Sequence, residues 1–470
     1  MARDFNIVSQ VGGFAGIHEY VEESTPAHVQ DAWNVDFEDG MLARRAGDQV
    51  INIAATNLSD PVNGLFVWRR RDGWETILAG ADVLDPLASD YGGYLYFWRP
   101  DRATFQYPNW PDQFISSTAS PKDGSVTTIP NRLETGPGAH WRFVSMDALY
   151  PSVYATNGYN PIQEFTGYPR LVNWSSGDSA RYRLFCRNVS ARNRNSTTGL
   201  TYLTVVPTVK YLAVFQNRLI ALSDKDTPDR FYASDVAYPD AFSTAAQVDI
   251  VTEDGDPITG AVVLLDRLIV FKKYSIHAVL DIDTANNSVT VVKLAQGIGC
   301  VAPQSIQPIP GGIIFLGHDG VYLFDGAVPR KVSRPVERTL LGRPSYSGML
   351  ADRPRSTVAT VRTSGAVSGV FWSRSLYWLG VPTRGSTQAR LMLVWDFASN
   401  RWAKWGSTGH ATTAGPPRTL DNPTLGAEGF HVTSIASSRA HGGAEKMYFG
   451  DLLGNVHEWP RAHGDGRRPI

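Results

Sequence analysis

The chain has 470 residues, 43% of them hydrophobic and 19% charged, with 44 basic against 45 acidic side chains and a net charge of −1. That length supports a large core without a disulfide or metal staple, and that balance gives no field to draw nucleic acid or a membrane surface. Two cysteines, Cys186 and Cys300, are too few for a disulfide framework or a cysteine zinc site, and read as buried thiols.

The N-terminus carries Asp4 and no long apolar core, so no signal peptide is read there. No apolar run reaches the ~18 residues a membrane helix needs. Aromatics make up 11% of the chain, beside 43 Gly and 29 Pro, a composition for many short strands and tight turns. Helical periodicity is nearly absent. Leu65–Arg69, Asp72-Gly73 and Trp74–Leu78 spell a hairpin, and Tyr94–Trp98 follows Gly92-Gly93. Ser152–Ala155, Asn157-Gly158 and Ile162–Phe165 repeat the theme. Tyr211–Phe215 leads into Asn217-Arg218-Leu219-Ile220, and Gly260–Leu265 into Asp266-Arg267-Leu268-Ile269. Later units are Gly312–Leu316 with Val321–Phe324, Gly369–Trp372 with Leu376–Leu379, Leu391–Trp395 with Asn400-Arg401-Trp402, and Lys446–Gly450 with Val456–Trp459.

This degenerate repeat has the period of propeller blades. The expected fold is all-β, a β-propeller of about six blades with seven as the alternative count, and aromatics filling the wedges between blades. Strands covered on both faces account for near-continuous apolar runs. The expected layout is an N-terminal arm over 1–50 leading into the first blade, a propeller over 51–462, and a tail over 463–470. Loop insertions are expected near 100–140, 173–198 and 406–429, where Pro, Ser, Asn and Gly gather.

No catalytic pattern emerges. The ten His residues lack zinc-hydrolase spacing, and there is no nucleophile elbow, phosphate loop or dinucleotide fingerprint. No catalytic residue, cofactor or metal is expected. Asp224, Asp226 and Asp229, and Asp281, Asp283 and Asn286, are spaced like oxygen ligands but lack the calcium loop's central Gly and terminal Glu. Glu253, Asp254 and Asp256 read as a charged loop tip rather than a glycosidase pair. The densest basic run is Arg69, Arg70 and Arg71; Arg187, Arg192 and Arg194 cluster in the middle of the chain. These six are the candidates for facing a channel or a partner, against the simpler reading of solvated strand ends and loop charges.

Four stretches, in order, resemble the tail nozzle or tail hub proteins of short-tailed bacteriophages, the packaged-DNA-stabilisation and tubular tail proteins. They are Asn34–Gly47 (NVDFEDGMLARRAG), Asp229–Phe242 (DRFYASDVAYPDAF), Gly260–Leu280 (GAVVLLDRLIVFKKYSIHAVL) and Gly297–Asp325 (GIGCVAPQSIQPIPGGIIFLGHDGVYLFD). The resemblance spans roughly residues 30–405 as a pattern rather than as identity. It implies a virion tail protein, assembled in the host bacterial cytoplasm. It implies a homo-oligomeric six-fold ring below portal and adaptor, with a tail fibre or tailspike nearby and double-stranded DNA passing through. A near-neutral conduit suits DNA transit, because tight phosphate contacts would retard it. Two other readings fit the residues: a glycan-binding or glycan-degrading propeller, and a cellular protein-interaction propeller.

Overall fold

The computed structural model describes residues 17–19, 35–38, 41–44, 49–51, 61–70, 73, 75–84, 91–99, 104–106, 133–134, 139–147, 151–172, 181–250, 255–283, 288–341, 365–382, 389–406, 432–438, 445–452 and 454–459. Among them the helices are short turns such as Asn195–Thr198 and Glu337–Leu340, and no helix is long and apolar enough to cross a membrane. The described strands form seven antiparallel meanders and one separate hairpin, Val35–Glu38 with Met41–Arg44.

Blade 1 runs Val62–Arg69, Glu75–Leu84, Tyr91–Arg99, Thr104–Gln106, with Leu133–Glu134 added to its third strand. Blade 2 is Arg142–Asp147, Pro151–Thr156, Gln163–Val172, Arg181–Asn188; blade 3 is Val209–Phe215, Arg218–Asp224, Arg230–Asp235, Tyr238–Asp249. Blade 4 is Ile258–Leu264, Arg267–Lys272, Ser275–Asp283, Ser288–Gln296; blade 5 is Gln307–Ile309, Gly312–Leu316, Val321–Phe324, Arg330–Lys331. Blade 6 is Val367–Phe371, Leu376–Pro382, Ala389–Asp396, Arg401–Gly406. Blade 7 is Ser434–Ser438, Lys446–Gly450, Val456–Trp459, and its outermost strand is Gln49–Val50 from the N-terminal side of the chain. First strands of successive blades adjoin one another, and that of blade 7 meets that of blade 1. The ring is closed.

The propeller is thus as expected, but with seven blades rather than about six. The repeat is hard to count because the connections drift, from 250–257 between blades 3 and 4 to 332–366 between blades 5 and 6. The hairpin of Leu391–Trp395 and Asn400-Arg401-Trp402 is the outer half of blade 6, not a unit of its own. The arm over 1–50 also ends differently. It supplies the last strand of the last blade before the chain begins the first, so the propeller starts at Gln49.

Strands inside a blade are covered on both faces and are buried almost throughout, as in Gly312–Leu316 and Val367–Phe371. The core therefore lies between blades. Trp378 packs edge-on against Trp405 (4.4 Å) and Trp459 (4.7 Å) and stacks on Phe449 (5.2 Å), joining blades 6 and 7. Phe271 and Phe315 do the same for blades 4 and 5 at 4.9 Å. Polar seams supplement these wedges. Thr433 Oγ1 and Ser434 Oγ donate to the Val62 carbonyl across the closure, at 2.5 and 2.6 Å.

Of the three expected insertions, 173–198 is largely structured. Arg181–Asn188 is the outer strand of blade 2, and its charged sequence (RYRLFCRN) reads like a loop. The segment after it crosses to blade 3. Thr104–Gln106 is the outer strand of blade 1. The remainder of 100–132, residues 407–431 and the tail 463–470 lie outside the described residues.

Candidate interaction surfaces

Antiparallel meanders put the turns between first and second strands, and between third and fourth, at one end of the ring, here the lower face. The connections between blades leave from the upper face, and that from blade 2 to blade 3 runs down the outer edge of blade 3 to its lower turn. This sorts the six arginine candidates. Arg69 and Arg70 end the first strand of blade 1 on the lower side; Arg70 is buried, its guanidinium 5.8 Å from the Trp68 ring. Arg71 lies outside the described residues. Arg187 sits on the outer strand of blade 2 and pairs with Glu164 at 2.6 Å.

Arg192 and Arg194 lie on the crossover to blade 3, and the structure brings them together. Arg192 pairs with Asp240 (2.8 Å) and Arg194 with Asp235 (2.7 Å). Both guanidinium groups lie over the Tyr238 ring, at 5.6 and 3.7 Å. Tyr202 Oη donates to Asp235 at 2.6 Å; burial, then this bond, raises its pKa. The crossover adds to the outer edge of blade 3 through Leu203 N to Phe242 O and Thr244 N to Thr201 O. These arginines therefore stand on the outer rim, away from the propeller axis, with their charge matched by carboxylates. Arg69 and Arg70 are not part of that group.

The acidic clusters are used locally. Asp224 Oδ1 accepts the Asp226 amide, and Asp256 accepts the Lys273 and Tyr274 amides at 2.9 and 2.6 Å. Glu253, Asp254 and Asn286 lie outside the described residues. Cys300 is buried and its thiol is pushed up to about 12 by desolvation, while burial also raises Cys186, so neither is a ready nucleophile.

What sequence reading did not single out is apolar exposure across blades 3 to 5. On the lower face Leu265 is 89% exposed and Val328 72%, with Val236 also at a turn tip. Leu265 holds φ at 57°, the left-handed region, which costs a non-glycine residue of order 1 kcal/mol. A bare leucine in a strained turn is a poor choice for water alone. The outer strand of blade 4, Ser288–Gln296, is nine residues long, carries the exposed Val292, and has one charge, Lys293. Among the described residues nothing pairs with its outer edge, whereas blade 3 is covered by the crossover and blade 6 by Ile17. Edge strands are usually shortened, charged or covered. The sequence signal available was an apolar Leu265 where a two-residue turn favours Asn, Asp or Gly.

No family model matches the chain, and no curated protein matches it. Among solved structures, it is similar to the extracellular domain of a hybrid two-component system from B. thetaiotaomicron, at 8% identity and a TM-score of 0.43. That match covers 88% of this chain and 39% of the other. It is also similar to the WD40 domain of Pan2 from Neurospora crassa, at 8% identity and a TM-score of 0.38, covering 88% of this chain and 95% of that one. Neither likeness bears on function. The architecture rests on the strand pairing itself.

Proposed function

We propose that this chain is a non-enzymatic structural subunit of a short phage tail. Copies assemble as a six-fold nozzle or hub ring below portal and adaptor, beside a fibre or tailspike. The ring helps retain packaged DNA and conducts it during ejection. The observation that carries the reading is the exposed apolar surface of blades 3 to 5, with the uncovered strand Ser288–Gln296 at its rim. Such a surface suits permanent neighbours better than a soluble substrate. The resemblance supports it: Asp229–Phe242 falls on the outer half of blade 3, Gly260–Leu280 on the first three strands of blade 4, and Gly297–Asp325 leads through blade 5.

The conduit lies between copies rather than along one propeller's axis. At the upper mouth Arg142 of blade 2 reaches across to blade 3, with Nη1 on the Lys210 carbonyl at 3.3 Å and its guanidinium 4.4 Å from the Tyr211 ring. Carboxylate-matched arginines at the rim would let DNA pass without gripping it. Class-averaged electron microscopy of the purified protein, alone and with portal and adaptor, tests the proposal. A six-fold ring on the adaptor is expected. A stable monomer that joins no such stack overturns it.

A further inference from the structure

The first described residues, Ile17, His18 and Glu19, are buried, with exposures of 1%, 9% and 6%. Ile17 N donates to the Trp402 carbonyl on the outer strand of blade 6, and Glu19 N to the Pro335 carbonyl after blade 5. A chain that enters so buried a position has to cross the neighbouring surface first. The strands set the direction of that crossing. Arg401–Gly406 starts at the lower face, with Ile17 beside Trp402 and Glu19 beside Lys404. Stepping back from Glu19 to Ile17 therefore descends toward the lower rim.

A cleft of about 530 Å³ lies there, lined by Leu323, Asp325, Val328, Pro329, Arg330 and Lys331 of blade 5. Leu323 is on the side of blade 5 that faces blade 6, packed against the same core that Ile17 joins. Trp402 Nε1 donates at 3.0 Å to the carbonyl of Val332, the residue after Lys331. A single residue, Trp402, thus touches both Ile17 and the strand end that walls the cleft. Val328, 72% exposed, gives the cleft apolar surface that is still wet.

Residues 1–16 lie outside the described residues, and their sequence suits this cleft. Gly12-Gly13-Phe14-Ala15-Gly16 sets one large apolar ring among residues without bulk, so the backbone can lie close while the ring goes in. Phe14 stands three residues before Ile17, a reach of up to about 10 Å. We propose that the segment before Ile17 folds back as a strap over the seam of blades 5 and 6, with Phe14 of the same chain in the cleft against Leu323, Val328 and Pro329. The strap takes Val328 out of the lower-face patch and leaves Leu265 and Val292 bare, so it holds or fails apart from the ring.

The test uses the full chain carrying F14C with V328C, mildly oxidised and run on a non-reducing gel. Cys186 and Cys300 are buried and stay silent. An intramolecular disulfide is expected, seen as a compact monomer band, because docking brings the two Cβ atoms into bonding range. F14C with S399C is the control for a loose tail. Ser399 is exposed at the lower turn of blade 6, as near to Trp402 along the chain as Phe14 is to Ile17, and this pair is expected not to link. With the cysteines left as in the parent, F14A is expected to speed amide exchange across Leu323–Lys331 by about tenfold or more. A dimer band would give the cleft to a second copy and overturn the proposal. So would no link, equal linking of the two pairs, or exchange that F14A leaves unchanged.

Discussion

Trp141 shows how one side chain locks two blades. It begins blade 2 and lies across blade 1, where a Cβ on Gly64 would sit 2.5 Å from its Cβ, and a Cβ on Gly80 would fall within its indole ring. Both glycines are slots for the tryptophan rather than turn residues. Gly80→Ala is expected to destabilise the protein by about 1–3 kcal/mol through overpacking. A urea midpoint lowered at unchanged m-value checks it; no change would mean that the two blades shift apart freely. A second residue sets a pH response. His277 is buried, with Nε2 3.1 Å from Ser275 Oγ, and is pushed down to about 4 by desolvation, then by Lys272 and Lys293. Above the ordinary value near 6.5, both folded and unfolded chains carry it neutral. As pH falls from there toward 4, only the unfolded chain takes the proton, so stability is lost through that window, by about 3 kcal/mol at its lower end. H277Q is expected to flatten the slope of stability against pH between 6.5 and 4.5 without removing it, since His140 is depressed in the same sense. Parallel slopes in urea titrations would show that His277 protonates without penalty.

Among the elements, the N-terminal segment also fastens the outer edge of blade 6. Ile17 N bonds to Trp402 O and Glu19 N to Pro335 O, and the buried Glu19 carboxylate accepts Lys404 Nζ at 2.5 Å and the Thr339 amide at 3.0 Å. Both members of that ion pair are nearly sealed from water. Glu19→Ala takes this carboxylate away from the buried Lys404 ammonium, and breaking a buried pair typically costs about 3–5 kcal/mol. The expected readout is faster amide exchange in Arg401–Gly406 and in 337–341. Unchanged exchange there would mean that water replaces the carboxylate. None of this was legible in the sequence. Ile17–Glu19 is three residues without periodicity, and its partners lie more than three hundred residues away in the chain. The inner strands were legible, because a strand covered on both faces carries an unbroken apolar run, as Leu219–Leu222 and Leu268–Phe271 do. Outer strands were not. Arg181–Asn188 is rich in charge and looks like a basic loop, so Arg187 was found while its strand was missed. The pairing of Arg187, Arg194 and Arg192 with Glu164, Asp235 and Asp240 depends on register and crossover, which spacing along the chain does not encode.

For the whole molecule, a net charge of −1 leaves little long-range steering, so the proposed association would rest on apolar contact and strand edges. A stable interface removes about 1,200–2,000 Å² from water, more than one side chain supplies, so the exposed residues of blades 3 to 5 would have to act together. Leu265 and Val292 are the two whose change separates assembly from folding. Both are exposed in the single chain, and neither anchors a blade core. Leu265→Asn suits the left-handed turn better than leucine, and Val292→Lys places a second lysine beside Lys293 on the edge, a device that blocks strand pairing. Each is therefore expected to leave stability within about 0.5 kcal/mol of the parent, with the leucine change on the favourable side. If the proposed ring forms through this surface, their combination is expected to convert it to monomers in light scattering coupled to size exclusion. Rings that persist at unchanged stability would move the interface off blades 3 to 5. A double variant that melts early would instead mark Leu265 or Val292 as part of the fold, and the strained turn would need an intramolecular reason.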